Sequence, residues 1–498
     1  MSKSKKHLFI PIILLILLIL ILCGFYLRYN NLGEINFQND EYFHLDAGVG
    51  FIKTGEFVLW DFLAEESVKE YTRAFPYTWI VASTFSIFEI NEFYGRLPSL
   101  IFGLLLLPLL YFISFRVSKN HLISLSVLAL GVFDSLLIWS SRLSRMYSLF
   151  VLLFLIACYL IYLGFEKNKQ KINYYYLGAG GIVLFFSYLV HESALLIGLG
   201  LFLYFIINSI RELVKKNKKP NKYYISSLIM FILLTGAGII HFFIHPLVIS
   251  DYIALRSAPN YEYLLNSVNQ LRIYYFAWII LLTGLIFSII KWQKIKLYFY
   301  SLFIPVLLFF TFFAGRYPAK KYILFIIPFI LILYADSIYE IIKLIFKKQK
   351  KQIILGIFII LFLLIGPIYS WPGVDENLVF QKARADINYE QDEVHNFRDA
   401  YKYIEDKYKF GEPILIQGAH TYYFSNPDLE LISLKKDKEF TKKEIKQIME
   451  NNISGWVVWP KYKDYHLKYK VKEYIQKNSK KIKKINHTNV HVYHWDNK

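Results

Sequence analysis

Apolar and polar residues alternate along this chain in long blocks rather than in the short periods of a soluble domain. Residues 8–27 form a first apolar run long enough to cross a bilayer as a helix. Further runs follow at 76–92, 97–115, 121–139, 146–165, 174–190 and 193–210. Another set occupies 223–243, 274–290, 297–314, 322–345 and 352–371. After Trp371 the pattern changes. Residues 388–410 have the spacing of an amphipathic helix, as do 442–451 and 466–478, while 413–418, 429–434, 455–460 and 490–495 read as strands. The chain therefore divides into a membrane region, 1–371, with a polar first loop at 28–74, and a soluble domain, 372–498. Alternating strands and helices predict a small α/β sheet for the soluble part.

Loop charge orients this pattern. Lys3, Lys5 and Lys6 precede the first run, and the loops 166–171, 211–222, 291–296 and 347–351 are basic. The positive-inside rule places all of these in the cytoplasm. The first loop, the turns around His191, 244–273 and 315–321, and the soluble domain are then extracytoplasmic. That arrangement requires an odd number of crossings, whereas the runs number twelve. The mismatch falls between residues 76 and 165, where one segment is re-entrant or one run is a broken pair of helices. The expected architecture is a polytopic α-helical protein with 11 or 13 transmembrane helices and a C-terminal extracytoplasmic α/β domain.

Composition agrees: of 498 residues, 55% are hydrophobic and 18% aromatic, too apolar for an ordinary soluble protein. The net charge of +19 lies largely in short loops and the C-terminal region. Topology signals and attraction to anionic headgroups account for it, and no nucleic-acid partner is expected. Cys23 and Cys158, the only cysteines, sit inside apolar runs, which leaves no disulfide framework or thiolate metal site. The first run is too long for a cleaved signal peptide and lacks a small-x-small cleavage site, so it reads as a retained anchor.

Against this background Asp40 and Glu41 stand out, an acidic pair just beyond the first span, on the outer side. Asn39-Asp40-Glu41 opens an amphipathic stretch, where an Asn cap and acids complementing the helix dipole would be a sufficient structural explanation. At the outer face of a membrane protein, however, a positioned carboxylate is also a plausible general base. Ser141-Arg142-Leu-Ser144-Arg145-Met-Tyr147 puts Arg142 and Arg145 on one helix face. Interfacial snorkelling explains such arginines, and so does capture of a phosphate by a planar multi-donor fork. His191-Glu192 interrupts an apolar stretch at an outward turn, as a structural histidine or a site residue. Arg73 precedes the run at Phe75-Pro76, and Arg316-Tyr317 begins an outer basic turn. Basic groups at several outer helix ends beside an acidic pair suit a phosphate donor and a base.

These residues resemble the GT-C glycosyltransferases, in particular the branch of protein O-mannosyltransferases and aminoarabinose (lipid A) transferases. The resemblance rests on Asp40-Glu41 with Ala47 and Thr54-Gly55, on Tyr71-Thr-Arg-Ala-Phe-Pro-Tyr-Thr, on Asn91-Glu-Phe-Tyr-Gly95-Arg96-Leu97-Pro98-Ser99, and on Phe102-Gly103. Arg142, Arg145-Met146-Tyr147 and Arg316-Tyr317 leading to Pro328 match later blocks, and the likeness spans residues 1 to 345. It implies an inverting glycosyltransferase that takes a sugar from a polyprenyl-phosphate donor at the outer face of the membrane. Asp40 would be the base and Glu41 its neighbour in the site. Arg73, Arg142, Arg145 and Arg316 would bind the donor phosphate, with Tyr147, His191 and Tyr317 contacting substrate. A single Pro76 after Phe75 departs from the family's adjacent prolines. No metal is required, although Asp40, Glu41 and Asp46 could in principle hold a divalent ion. The acceptor (glycan, lipid or protein) and the oligomeric state are left open. A transporter or flippase of lipid-linked saccharides is the alternative, and a membrane scaffold displaying the soluble domain is a third reading.

Overall fold

The computed structural model describes residues 3–34, 36–37, 39–168, 171–214, 222–244, 277–312, 320–346, 397–417, 421–424, 426, 428–434, 441–460, 469–482 and 490–497. The run at 352–371, and with it the last expected span, lies outside the described residues. Two compact units emerge: one of 1–30, 99–142 and 146–375, the other of 31–98, 143–145 and 376–498.

The first unit is helical. Helix α1 (Lys3–Tyr29) is followed by the greater part of α4 (Glu92–Ser118), then α5 (His121–Phe133), α6 (Ser135–Ser141), α7 (Tyr147–Glu166), α8 (Tyr174–Val190), α9 (Ile197–Val214), α10 (Lys222–Ile244), α11 (Ala277–Ile290), α12 (Lys294–Phe312) and α13 (Ile327–Ile345). Among the described residues four helical segments are long and apolar enough to cross a membrane: Ile10–Tyr29, Glu92–Ser118, Tyr147–Glu166 and Glu192–Val214. The bent pair α5–α6 adds a fifth if counted as one span, and its members meet at 59°. This is a multi-pass membrane region.

The bend has a local cause. Asp134 sits between the two helices in extended conformation and accepts the Leu137 N–H, so it caps α6 and ends α5. The carbonyls freed at the end of α5 are taken by buried Arg28, which donates to Gly131 O at 3.0 Å and Val132 O at 3.1 Å. A broken run in this part of the chain is one of the two devices the charge pattern calls for. The run at 76–92 proves to be α3 (Phe75–Ile87), whose 13 residues fall short of the ~20 a straight crossing needs.

Two charge clusters tie the helices of this unit. Lys294 reaches Glu166 at 2.8 Å, and Glu166 also accepts from Tyr204 at 3.0 Å and Tyr223 at 2.7 Å. Lys296 pairs with Asp336, and Lys291 with Glu340. Residues from three of the four basic loops thus converge in the first cluster and its neighbour, since Lys222 donates to Phe165 O.

The second unit joins the first loop to the C-terminal elements. Here α2 (Asn39–Thr54) leads into the antiparallel hairpin β1 (Val58–Asp61) and β2 (Glu66–Glu70), then α3 and the first turns of α4. The hairpin is a feature the hydrophobic pattern did not announce. Gly50 is where α2 meets β1: a Cβ there would lie 1.9 Å from Val58 O, so only glycine allows the approach. The C-terminal residues form a five-stranded sheet ordered β4-β3-β5-β7-β6, from β3 (Ile414–Ile416), β4 (Leu431–Ser433), β5 (Ser454–Pro460), β6 (Lys480–Lys481) and β7 (Val490–Asp496). β3 runs parallel to β4 and β5, while β5 and β6 run antiparallel to β7. Alternate residues bury on opposite faces, as a two-residue period requires. Ile414, Ile416, Trp456, Val458 and Val492 cluster with α14 (Phe397–Glu405). Leu415, Val457, Trp459 and Trp495 cluster with α15 (Lys442–Asn451) and α16 (Tyr469–Asn478).

Candidate active site

The site begins with a short linker and the first turn of α2. Asp40 and Glu41 occupy that turn, where the positive end of the helix dipole favours them. Successive residues on a helix point in different directions, and the two acids meet opposite fates.

Glu41 is fully buried and doubly held. Its oxygens receive Nε and Nη2 of Arg96 at 2.9 Å each, a two-point fork, and Oε1 also accepts the Ser144 N–H. Arg96 is 3% exposed and spends its remaining donors on Leu32 O and Asn36 O, both at 2.9 Å, with Phe37 stacked 5.3 Å from its guanidinium. Removing either partner would strand a buried charge. Asp40, by contrast, keeps 44% of its side chain exposed and meets Arg145 through one contact at 3.3 Å. Arg145 is itself buried and anchored by a bond to the Asp40 carbonyl. The result is one accessible carboxylate fixed beside one buried cation, with a second carboxylate locked underneath.

His44, one turn after Asp40, is fully buried, with Nδ1 2.9 Å from Thr78 Oγ1 and Tyr71 and Tyr77 edge-on to its ring. Burial holds its pKa well below the usual value, helped by the positive charges of Arg145 and Arg73. His44 is therefore neutral at neutral pH, and it reports that both guanidinium charges reach the same point. Arg73 itself is exposed, just before α3. Asp46 is pushed the other way: burial, then the neighbouring Asp61, raises its carboxyl well above the ordinary range. Among the described residues, no three His, Cys, Asp or Glu side chains converge as a metal-binding group.

The structure thus brings Asp40, Glu41 and Arg145 together in one unit, with Arg73 felt electrostatically. Arg142 belongs to the other unit, where its Nη1 donates to the carbonyls of Leu27, Arg28 and Asn30 and closes the end of α1. Tyr147 and His191 also lie in that unit and neighbour each other, ring centroids 6.4 Å apart. Tyr147 is buried against Trp139, and His191 caps the following turn by accepting the Ser193 N–H at 3.2 Å. Arg316 and Tyr317 lie outside the described residues. Arg96 and the Ser144 N–H are the site members that residue-by-residue reading left without a role. The available signal was a lone arginine opening an apolar run, in the same block as Pro98 and Ser99.

Residues 73–237 match the family described as dolichyl-phosphate-mannose-protein mannosyltransferase. The crystal structure of ArnT from Cupriavidus metallidurans bound to undecaprenyl phosphate superposes with a TM-score of 0.58 at 11% identity, covering 99% of this chain and 98% of that one. The chain shares the fold of that structure. A second GT-C structure, the Archaeoglobus fulgidus oligosaccharyltransferase in complex with Zn and sulfate, aligns with a TM-score of 0.51 at 11% identity, over 90% of this chain and 68% of that one. Curated protein sequences give no match. The GT-C likeness reaches beyond residue 345, where the sequence resemblance stopped, and takes in the C-terminal elements.

Proposed function

We infer that this protein is an inverting glycosyltransferase that moves a sugar from a polyprenyl-phosphate donor to an acceptor at the outer face of the membrane. The observation that carries the reading is the Asp40–Arg145 contact: an accessible carboxylate held against a buried guanidinium above the locked Glu41–Arg96 pair. Asp40 accepts the proton of the acceptor hydroxyl as its oxygen attacks the anomeric carbon. The bond from that carbon to the phosphate oxygen breaks, and the phosphate leaves with the electron pair. Direct displacement inverts the anomeric centre. Arg145 and exposed Arg73 supply positive charge where the leaving phosphate develops negative charge. Glu41 acts through Arg96, keeping the first turn of α2 in place. The scheme draws on no metal.

The remaining candidates take secondary places. Arg142 steadies the end of α1, and Tyr147 shapes the start of α7; His191, Arg316 and Tyr317 are the further proposed contacts for the donor. The family match and the undecaprenyl phosphate bound by ArnT support a lipid-phosphate donor. The basic loops place the N-terminus in the cytoplasm, and this puts Asp40 outside with the soluble domain. The test is transfer of labelled sugar from a polyprenyl phosphate by purified protein, with wild type compared to Asp40→Asn. Equal rates would remove Asp40 as the base.

A further inference from the structure

We propose that Arg398 is a positioning residue for the Asp40–Glu41 pair, which makes the soluble C-terminal elements a working part of the site. The proposal takes from the transferase reading only what the site does; its geometry stands on other observations. Among its described residues the linker between α1 and α2 has a turn at 30–34 and no helix or strand, so its carbonyls need donors from elsewhere. Two arginines provide them. Arg96 takes Leu32 O and Asn36 O at 2.9 Å each, and Arg398 takes two others of the same stretch, Gly33 O at 3.1 Å and Glu34 O at 2.6 Å. Four carbonyls of one short linker therefore end on two guanidinium forks, one from α4 and one from α14.

Arg398 can act as a fixed point because α14 is itself fixed. Its neighbours Phe397, Ala400, Tyr401 and Ile404 are buried in the core on one face of the sheet. A second tie runs parallel. Glu92, 2% exposed, accepts the Tyr423 hydroxyl at 2.6 Å and faces Arg398 at 3.4 Å. Glu92 lies one turn before Arg96 on α4, so the same helix face is gripped by the soluble elements at one turn and grips Glu41 at the next. Tyr423 also lies beside Tyr42, the residue after Glu41. α2 thus starts from a ledge whose backbone, helix and adjoining side chain are all held from residues near 398 and 423.

The experiment compares full-length wild type with Arg398→Ala, Arg398→Lys and Tyr423→Phe in two ways. One is kcat and donor KM with a labelled polyprenyl-phosphate sugar. The other is amide exchange in peptides covering 31–41, with peptides from β5 as the folding control. Arg398→Ala is expected to lower kcat by about 10- to 100-fold, the scale of a displaced catalytic group, with donor KM nearly unchanged. Exchange should quicken in 31–41 and stay slow in β5. Arg398→Lys should recover part of the rate, since one ammonium cannot reproduce the fork, and Tyr423→Phe should lose about 5-fold, one hydrogen bond's worth. Unchanged kcat and unchanged exchange in Arg398→Ala would overturn the proposal. So would faster exchange throughout β5 while the Lys and Phe variants keep wild-type rates. If wild type transfers no sugar yet 31–41 loosens in Arg398→Ala, the clamp stands and the transferase reading falls.

Discussion

Each unit of this protein buries acids against bases, yet the two do so to different ends. In the helical unit, Lys296 and Asp336 are both nearly inaccessible, with side chains 7% and 5% exposed, and Glu166 is enclosed by Lys294 and two tyrosine hydroxyls. In these described clusters each acid meets a base. In the unit holding the first loop, Glu41 and Arg96 are closed in the same way, but Asp40 beside them is not. Burial of an ion pair marks a structural joint. A candidate site is marked by asymmetry: one partner buried and oriented, the other open to solvent.

That contrast can be broken experimentally, beginning with the largest effect. Asp40→Asn should cut transfer by about 100- to 10,000-fold, the usual contribution of a general base, while leaving thermal unfolding almost unchanged. A variant equally impaired in rate and in folding would erase the distinction between the acids. Glu41→Ala should do the reverse first, costing about 3–5 kcal/mol of stability by stranding the Arg96 charge, measurable as a lowered unfolding midpoint in detergent. Asp336→Asn should destabilise by about 1–3 kcal/mol, because Glu340 still lies 4.0 Å from Lys296. Its rate per folded molecule should match wild type; a specific loss of kcat would give the helical cluster a functional share.

The smallest effect concerns pH. The native pKa of His44 lies below its unfolded value near 6.5, so the unfolded chain takes up the proton first on acidification. Stability is then full above about pH 6.5 and falls below it, by at most about 1.4 kcal/mol per pH unit, until the folded pKa is reached. His44→Gln should flatten that part of a plot of midpoint against pH. An unchanged slope would mean that other groups carry it.

Much of this was legible locally. Apolar length marked the helices, and period-two and amphipathic spacing located the four main strands and the helices around them. The charge pattern called for either a re-entrant segment or a broken run between residues 76 and 165, the region that holds the bent pair at Asp134. Asp40 could be singled out because topology alone places it. What local pattern could not supply was partnership. Glu41 finds Arg96 55 positions away, and Arg142 closes carbonyls more than a hundred residues back. Neither link leaves a periodicity to read. The β1–β2 hairpin was hidden for another reason: β2, Glu-Ser-Val-Lys-Glu, is exposed throughout and has no apolar face to alternate.

The span from Glu34 to Arg398, 364 positions, also has a meaning in time. Residues near Asp40 leave the ribosome early, whereas the donor for the Gly33 and Glu34 carbonyls is made 364 positions after Glu34. At cellular elongation rates the gap is on the order of tens of seconds. During that interval every apolar helix up to α13 has been made, but the ledge beneath the acidic pair lacks one of its two forks. The ledge beneath the acidic pair is then complete only once the residues around Arg398 have been made, after the helices that precede them.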